Sequence, residues 1–504
     1  MTRDDILLRI LRARVYDVAH ETPLDPAPQL SARLADNVLI KREDLQPVFS
    51  FKLRGAFNKI SLLPEPARRR GVIAASAGNH AQGVALAART LGIAATVVMP
   101  RTTPAIKVRA VLDLGAEVVL HGDGFDEAHS HARELESERS LVFIHPYDDP
   151  DVIAGQGTIG VEILRQHPGP IDAIFVPVGG GGLIAGISAY VKHVRPEVRV
   201  IGVEPEDAAC LAAALAAGER VRLDQVGLFA DGVSVRQIGE APFAIARECV
   251  DEVVTVDTDE ICAAIKDIFD DTRSIAEPAG ALAVAGLKRW ATRERRLRRT
   301  LVAIDSGANM NFDRLRHVAE RAELGEQREA LFAVTIPERP GSFRAFCEAI
   351  GPVSITEFNY RYGNDHEAHV FVGVGLEPGR VTREGFAEQL RGAGYEIVDM
   401  TGNEMAKLHV RFMVGGRAPT GDERLLRFEF PERPGALLGF LDAMGDRWNL
   451  TLFHYRNHGA AFGRVLAGLQ IPPEDHAGLE RLLDDLGYAW IEETGNPAYR
   501  LFLR

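Results

Sequence analysis

The chain is poor in cysteine, with four in 504 residues, and these are scattered: Cys210, Cys249, Cys262 and Cys347. No two of them form a Cys-x-x-Cys pair, and no histidine stands near any of them at the spacing of zinc ligands. Neither a disulfide framework nor a structural metal site is therefore predicted. We expect reduced thiols in a cytoplasmic protein.

Long apolar runs are also missing. The N-terminal segment 1–15 is amphipathic and interrupted by charges, so it lacks the apolar centre of a signal peptide. Residues 173–191 carry no formal charge, but Pro177 and five glycines divide them into a strand, a loop and a helix. We expect neither export nor a membrane span from these segments.

The chain has no excess of positive charge, since 58 basic residues stand against 71 acidic ones and the net charge is -13. Phosphates would be repelled over most of such a surface, which argues against a general nucleic-acid or acidic-membrane partner. The length of 504 residues exceeds what one hydrophobic core usually supports, so two or three domains are predicted. A role in small-molecule chemistry fits better.

From about Val38 to Glu204, short apolar runs rich in β-branched residues alternate with helical patterns. Strands that are apolar on both faces and connected by helices are typical of a parallel, helix-covered sheet. The first part of the chain, to about Phe312, is therefore predicted to be α/β.

The rest of the chain repeats itself. Three pairs of segments recur at an offset of 93 to 95 residues: 332–341 with 426–435, 358–361 with 453–456, and 401–403 with 494–496. Each copy begins with an alternating strand, a Pro-Gly turn and an amphipathic helix (343–350; 436–444), and then returns to strand. Two copies of a small α+β unit of the βαββαβ kind are predicted.

Lys52 stands between apolar neighbours in the stretch Ser50-Phe51-Lys52-Leu53-Arg54-Gly55-Ala56. Poor solvation lowers the pKa of a lysine and makes its amine a nucleophile that can form a Schiff base with an aldehyde cofactor. A solvated surface lysine is the alternative interpretation. The choice between the two depends on the motifs that follow.

A glycine-rich loop connects a predicted strand to a predicted helix and consists of Gly179, Gly180, Gly181, Gly182 and Leu183. Glycines let the backbone approach an anion closely, and a helix N-terminus supplies unpaired N–H donors, so a phosphate-binding loop is predicted. The alternative is the dinucleotide fingerprint Gly180-x-Gly182-x-x-Ala185, with Glu204 as the ribose-binding acid. That alternative leaves the stretch around Lys52 unexplained.

Two further loops follow predicted strands and carry polar side chains. In Ser76-Ala77-Gly78-Asn79-His80, Asn79 is interpreted either as a helix N-cap or as a hydrogen-bond partner for an oxygen on a bound ring, and His80 as a packing or helix-start residue. In Ser306-Gly307-Ala308-Asn309, the hydroxyl of Ser306 can bond a ring nitrogen without giving it a full proton, although Ser-Gly is also common in turns.

Other candidates have weaker support. His129 and His131 are predicted on a solvated helix face, and residues 277–280 are interpreted as a turn or as the wall of a site.

Together, the stretch around Lys52 and the three loops resemble the fold-type II pyridoxal-phosphate enzymes, whose fold is that of the tryptophan synthase β subunit. With residues 226–230 and the duplicated C-terminal part, the whole chain resembles the biosynthetic threonine deaminases (threonine ammonia-lyases). This resemblance implies a catalytic domain over 1–322 and two ACT-like regulatory domains over 330–402 and 425–495.

The resemblance also implies the cofactor, pyridoxal 5′-phosphate, and no metal. Lys52 would hold the cofactor as a Schiff base and take the Cα proton of the substrate as general base. Asn79 would contact the phenolic oxygen of the ring, and Ser306 would face the pyridine nitrogen. The phosphate would be bound by Gly179, Gly180, Gly181, Gly182 and Leu183. Ala77 stands where serine racemases carry a serine, so racemisation is not expected.

By the same resemblance, L-threonine is converted to 2-oxobutanoate and ammonia in the first step of isoleucine synthesis, and L-serine is also accepted. The preference between the two substrates stays open, since one methyl group is worth only about 1–3 kcal/mol. Isoleucine is the implied inhibitor and valine the implied activator, with Tyr360 and Tyr455 in or near their pockets. A cytoplasmic homotetramer without nucleic-acid or membrane partners is implied.

Two other functions fit the sequence less well. An amino-acid sensor that binds without turnover has no need of a Schiff-base lysine such as Lys52. Cysteine synthase-like or serine dehydratase chemistry leaves the two C-terminal repeats unexplained.

Overall fold

The computed structural model describes residues 3–227, 229–294, 298–312, 314–362, 366–376, 381–408, 410–412, 421–431, 436–445, 447–456, 462–486, 489–497, 499 and 503. The chain divides into two compact units, Met1–Gly325 and Glu326–Arg504.

The first unit contains ten strands and fourteen α-helices among the described residues. The strands are β1 (Leu24–Pro26), β2 (Asn37–Arg42), β3 (Val72–Ala75), β4 (Ala95–Met99), β5 (Glu117–Leu120), β6 (Val142–Phe143), β7 (Ala173–Pro177), β8 (Arg199–Pro205), β9 (Glu252–Val256) and β10 (Thr300–Asp305). The helices are α1 (Arg3–Arg12), α2 (Pro28–Leu34), α3 (Lys52–Ser61), α4 (Glu65–Arg70), α5 (Asn79–Leu91), α6 (Ala105–Asp113), α7 (Phe125–Arg139), α8 (Pro150–Gln166), α9 (Gly182–Val194), α10 (Cys210–Ala217), α11 (Glu240–Cys249), α12 (Thr258–Thr272), α13 (Pro278–Arg293) and α14 (Arg314–Gly325).

These strands form two sheets, one ordered β1-β2-β10-β7-β8-β9 and the other β5-β4-β3-β6. Every pairing is parallel except that of β1 with β2. All residues of β4 and β7 are buried, because helices cover both faces of the sheets. The prediction of a parallel, helix-covered α/β fold is confirmed.

Helix α3 is anchored by a fully buried network of charges. The guanidinium of Arg54 lies 2.8 Å from the carboxylate of Glu43 and 2.5 Å from that of Glu162. The ammonium of Lys41 lies 2.6 Å from the second oxygen of Glu162. Two cations thus neutralise two carboxylates, which offsets the cost of removing all four from water. The network fixes the start of α3, where Lys52 is the first residue.

The second unit is built on one eight-stranded sheet, ordered β14-β11-β13-β12-β16-β17-β15-β18. Its strands are β11 (Glu329–Pro337), β12 (Ile355–Arg361), β13 (Glu367–Gly375), β14 (Glu396–Asp399), β15 (Glu423–Pro431), β16 (Asn449–Arg456), β17 (Phe462–Gln470) and β18 (Ala489–Glu492). Its helices are α15 (Ser342–Ile350), α16 (Arg383–Gly392), α17 (Glu404–Leu408), α18 (Ala436–Met444) and α19 (His476–Leu486).

The repeat in the sequence appears as a repeat of structure. The order β11, α15, β12, β13, α16, β14 returns as β15, α18, β16, β17, α19, β18. The two copies join where β12 pairs antiparallel with β16, and one hydrophobic core runs through both. Gly341, at φ 85°, forms the predicted turn before α15, whereas the equivalent turn at 432–435 lies outside the described residues. The limits 330–402 and 425–495 stay predictions.

Two broader features concern the described part of the chain. None of its helices has both the length and the apolar composition needed to cross a bilayer. No group of three or more His, Cys, Asp or Glu side chains in it is arranged to hold a metal ion.

Candidate functional site

A cavity of about 420 Å³ in the first unit brings together every residue predicted to bind the cofactor. Its walls are formed by Phe51, Lys52, Asn79, Tyr147, Pro177, Gly179, Gly180, Gly181, Gly182, Leu183, Gly232, Val233, Ala279 and Ser306. Its lining combines apolar walls with a few polar groups, as in small-molecule sites.

Sheet topology explains why these residues meet. Strands β2, β10 and β7 are parallel neighbours, so their carboxyl ends lie at the same edge. The loops that follow them lead to Lys52, Ser306 and Gly179, respectively. Ligands of open α/β sheets bind at this edge.

Lys52 has the environment that a nucleophilic amine needs. Burial lowers its pKa to about 8, against the opposing charge of Glu277. The Nζ atom donates a hydrogen bond to the carbonyl oxygen of Pro146 at 3.3 Å and lies 5.1 Å from the centre of the Phe51 ring. The neutral, nucleophilic form of the amine is therefore more populated near neutral pH than in a solvated lysine.

The glycine loop could not hold larger residues. A Cβ on Gly180 would lie 2.2 Å from the ring of Tyr147, and one on Gly179 would lie 2.9 Å from the Cα of Val233. Gly181 has a φ of +89°, which side chains disfavour.

The donors of this loop are available to a ligand. Two of its carbonyl groups already accept hydrogen bonds within the protein: that of Gly180 from the N–H of Gly239, and that of Gly181 from the N–H of Ala185. Among the described residues, the backbone hydrogen bonds outside helices and strands include none donated by residues 179–183. Because α9 begins at Gly182, its dipole adds to these N–H groups, and the loop fits a phosphate.

Asn79 is not the N-cap of α5, so that interpretation is wrong. The cap position belongs to Gly78, and Asn79 is the first residue of the helix. Its Nδ2 donates to Oε1 of Glu277 at 2.5 Å, and its Oδ1 accepts from Nδ2 of Asn309 at 2.6 Å. Tertiary contacts, and not helix capping, hold the amide at the cavity wall.

Ser306 contributes a neutral hydroxyl. Its Oγ donates to the carbonyl oxygen of Ala279 at 3.3 Å, and the residue is buried. The segment before Lys52 pairs with the segment after Ser306, since Phe51 N–H donates to Ser306 and Ala308 N–H donates to Phe49. This pairing brings the serine and the lysine to the wall of one cavity.

Other predicted residues have structural roles. His80 is buried with Nε2 2.9 Å from the carbonyl oxygen of Ile144, and burial lowers its pKa to about 3, which confirms it as a packing residue. The two α7 histidines, predicted on a solvated helix face, are only half-exposed. The ring of His129 packs edge-on against Phe143, and the ring of His131 stacks on His121 at 3.9 Å.

The dinucleotide alternative fails at its acidic residue. The carboxylate of Glu204 accepts hydrogen bonds from the N–H groups of Leu211 and Ala212 at 2.7 and 2.9 Å. It is buried at the start of α10 and is absent from the walls of the cavity. It therefore does not stand where a ribose hydroxyl could reach it.

Sequence reasoning missed three residues of the site. Tyr147 packs against the glycine loop in the cavity wall, and no local pattern marks it. The sequence indicates Asn309 only as part of a turn, and Glu277 only as part of a turn or of the wall of a site. Burial raises the pKa of Glu277 to about 7, and the nearby Asp231 acts in the same direction.

A second cavity, of about 400 Å³, lies within the second unit. It is lined by residues from both repeats, among them Glu338, Tyr360 and Asn449. The hydroxyl of Tyr360 donates to the Glu338 carboxylate at 2.7 Å, and Asn449 Nδ2 donates to it at 3.4 Å. Tyr455 does not line this cavity and is buried in the shared core.

Comparison with known families matches most of the chain. Residues 15–307 match the model of the pyridoxal-phosphate dependent enzymes. Residues 320–410 and 414–503 each match the C-terminal regulatory domain of threonine dehydratase, in agreement with the predicted duplication.

Similar proteins and solved structures agree with these family matches. The chain is 58% identical to an L-threonine dehydratase of Burkholderia multivorans, over the full length of both, and 52% identical to that of Escherichia coli, over 99% of this chain and 97% of the other. The structure of processed threonine deaminase isoform 2 from Solanum lycopersicum covers 64% of this chain and 93% of its own, with 52% identity and a TM-score of 0.62. Maize serine racemase covers 63% and 96%, with 32% identity and a TM-score of 0.58.

Proposed function

The chain belongs to the threonine dehydratases among the pyridoxal-phosphate dependent enzymes, and from this premise we propose that it converts L-threonine to 2-oxobutanoate and ammonia, the first step of isoleucine synthesis. The observation that carries the proposal is the cavity that holds Lys52, with its lowered pKa, beside a loop of unused backbone donors.

The residues present fit pyridoxal 5′-phosphate. Lys52 would bond its aldehyde carbon, the loop 179–183 would bind its phosphate, Asn79 would contact its ring oxygen and Ser306 its ring nitrogen. When bound, the cofactor supplies an electron sink for negative charge at the Cα atom of the substrate.

The chain supplies position and proton transfer. The Lys52 amine is the group placed to take the Cα proton, and a pKa near 8 suits it to accept and release a proton near neutral pH. The hydroxyl of Ser306 is too weak an acid to give the ring nitrogen a full proton, which favours departure of the β-hydroxyl over prolonged storage of charge on the ring. Ala77 supplies no acid or base beside Asn79, so racemisation is not expected.

We also propose that isoleucine inhibits and valine activates the enzyme through the second unit. The cavity there has the charges that an amino acid requires, since Glu338 can bind its ammonium group and Arg339 at the rim can bind its carboxylate. An apolar wall that includes Phe343, Leu441 and Trp448 suits a branched aliphatic side chain. Tyr360 orients the carboxylate of Glu338. Tyr455, which is buried in the shared core, is proposed to lie near an effector pocket.

The remaining proposals follow the family. They are L-serine as a second substrate, a homotetramer in the cytoplasm, a catalytic domain over 1–322, and regulatory domains over 330–402 and 425–495.

A chain that ends at Leu324 tests the assignment of regulation. It is expected to form 2-oxobutanoate from threonine but to be insensitive to isoleucine, because the proposed effector cavity is gone. Isoleucine inhibition that persists in the shortened chain would refute the assignment, and a full-length chain that forms no 2-oxobutanoate from threonine would refute the proposed activity.

A further inference from the structure

Glu277 lies behind Asn79 and does not line the cavity itself. We propose that Glu277 is a positioning residue, which, with Asn309, fixes the Asn79 carboxamide so that its one unused N–H faces the ring oxygen of the bound cofactor. This inference rests on the proposed function, since it assumes that the cavity holds a pyridoxal ring.

The hydrogen bonds define the orientation of the amide. Asn309 Nδ2 donates to the carbonyl oxygen of Val48 at 2.8 Å, so the Asn309 atom that meets Asn79 is a donor. The Asn79 atom 2.6 Å away must then be its oxygen, and its nitrogen faces Glu277. An amide nitrogen has two hydrogens, and Glu277 accepts one of them. The second hydrogen is the only side-chain donor of Asn79 that remains for a ligand.

Glu277 is itself held firmly. It is 3% exposed, immediately precedes α13, and its N–H donates to the carbonyl oxygen of Gly307 at 3.0 Å. A Cβ on Gly307 would lie 2.6 Å from Oε1 of Glu277, so the carboxylate is packed against the loop that follows Ser306. The acceptor therefore cannot move away from Asn79 without displacing the segment that also carries Ser306.

The cavity lies next to this pair. A Cβ on Gly232, which lines the cavity, would lie 3.9 Å from Asn79 Nδ2 and 4.0 Å from Glu277 Oε1. The hydrogen bond that Asn79 Oδ1 accepts from Asn309 polarises the amide and strengthens its N–H groups as donors. The remaining N–H can donate to the ring oxygen of a ligand in this cavity.

The test measures ligand binding to the full-length chain stripped of cofactor. One ligand is 4′-deoxypyridoxine 5′-phosphate, which keeps the phosphate and ring oxygen but has no aldehyde to react with Lys52. The other is its counterpart without the ring oxygen. Calorimetry gives the dissociation constant of each for the wild type, Glu277→Ala, Glu277→Gln and Glu206→Ala, the last being the same kind of change at an exposed site of the same unit.

We expect Glu277→Ala to weaken binding of the first ligand about tenfold, the size of one hydrogen bond to a charged group. Binding of the second ligand should change less than about twofold, because the lost contact is absent from it. Glu277→Gln should restore most of the affinity, since its carbonyl oxygen can accept from Asn79, and Glu206→Ala should match the wild type. In an Asn79→Ala background, Glu277→Ala should have no further effect.

Equal weakening of both ligands by Glu277→Ala, or a full additional loss in the Asn79→Ala background, would overturn the inference while leaving the proposed function intact. A wild-type chain that binds neither ligand would overturn the proposed function as well. If Glu277→Ala fails to fold, Asn309→Ala removes the other residue that holds the Asn79 amide by a hydrogen bond. It should weaken binding of the first ligand more than binding of the second. If Asn309→Ala changes the affinity for both ligands by the same factor, or changes neither, the inference is contradicted.

Discussion

The ring of Tyr147 lies directly against Gly180, so closely that a Cβ on the glycine would lie 2.2 Å from the ring carbons. Tyr147 follows β6 and Gly180 follows β7, so the two residues come from the two different sheets of the unit. The contact closes the cavity beside the proposed phosphate-binding loop.

This contact makes Gly180→Ala a sharp test of the loop. The added methyl group must displace either the ring or the loop, at a cost of about 1–3 kcal/mol. If that cost falls on cofactor binding, affinity decreases about 5- to 150-fold. Titration of the cofactor-free protein with pyridoxal 5′-phosphate measures the change.

Two variants complete this test. Gly124→Ala places a methyl group in open space at the start of α7 and should bind as the wild type does. Tyr147→Ala combined with Gly180→Ala should recover part of the loss. Wild-type affinity in Gly180→Ala alone would show that the loop does not bind the ligand tightly.

Lys52 and Lys59 lie on the same helix but should differ in acidity. Burial lowers the pKa of Lys52 to about 8, whereas contacts with Asp149 and Asp151 raise the pKa of Lys59 although burial opposes them. A lowered pKa means that the reactive neutral amine appears at lower pH. In the cofactor-free protein, labelling of Lys52 by an amine reagent should be half-maximal near pH 8.

Peptide mapping by mass spectrometry at a series of pH values measures both lysines in one sample. Lys59 should be labelled only at higher pH than Lys52. An identical pH dependence at the two positions would contradict the account of the Lys52 environment.

The fold was predictable in outline. Strands such as β4 and β7 are buried on both faces, so their apolar runs can be recognised from the local sequence without knowledge of distant contacts. The glycine loop and Lys52 were predictable for a similar reason, since a run of glycines before a helix and an amine among apolar residues are unusual locally.

The supporting residues were not predictable in that way. Glu277 is 198 positions from Asn79, and Tyr147 meets Gly180 only because two sheets come together. The alternative interpretation of Asn79 as an N-cap is wrong for the same reason, since distant residues, Glu277 and Asn309, hold its amide. The packing of His129 and His131 depends on rings from other elements, which helical periodicity does not show.

Arg54 is expected to be essential for stability. Replacing it with alanine leaves the fully buried carboxylate of Glu43 without its arginine and removes one of two cations from Glu162. Breaking a buried ion pair from one side costs about 3–5 kcal/mol.

Urea unfolding followed by circular dichroism measures the loss. The control is Arg109→Ala, which removes an exposed pair with Asp113 and should cost less than about 1 kcal/mol. Equal unfolding midpoints for the two variants would contradict the importance of the buried network.

Substitution of Glu338 is expected to weaken isoleucine inhibition without changing catalysis. Glu338→Gln removes the negative charge proposed to bind the effector's ammonium group and should raise the isoleucine concentration for half-inhibition about tenfold. Turnover without effector should not change. Glu388→Gln, at an exposed site on α16, is the matched control. Unchanged isoleucine sensitivity in Glu338→Gln would exclude this cavity as the effector site.

The most direct test of the whole account compares Lys52→Ala with Lys59→Ala in the full-length protein. The account predicts that wild type and Lys59→Ala, supplied with pyridoxal 5′-phosphate, show a visible absorption band, carry the cofactor on the Lys52 peptide after borohydride reduction, and form 2-oxobutanoate from threonine. Lys52→Ala should do none of these. Formation of 2-oxobutanoate by Lys52→Ala at the wild-type rate, or reduced cofactor attached to another residue of the wild type, would contradict it.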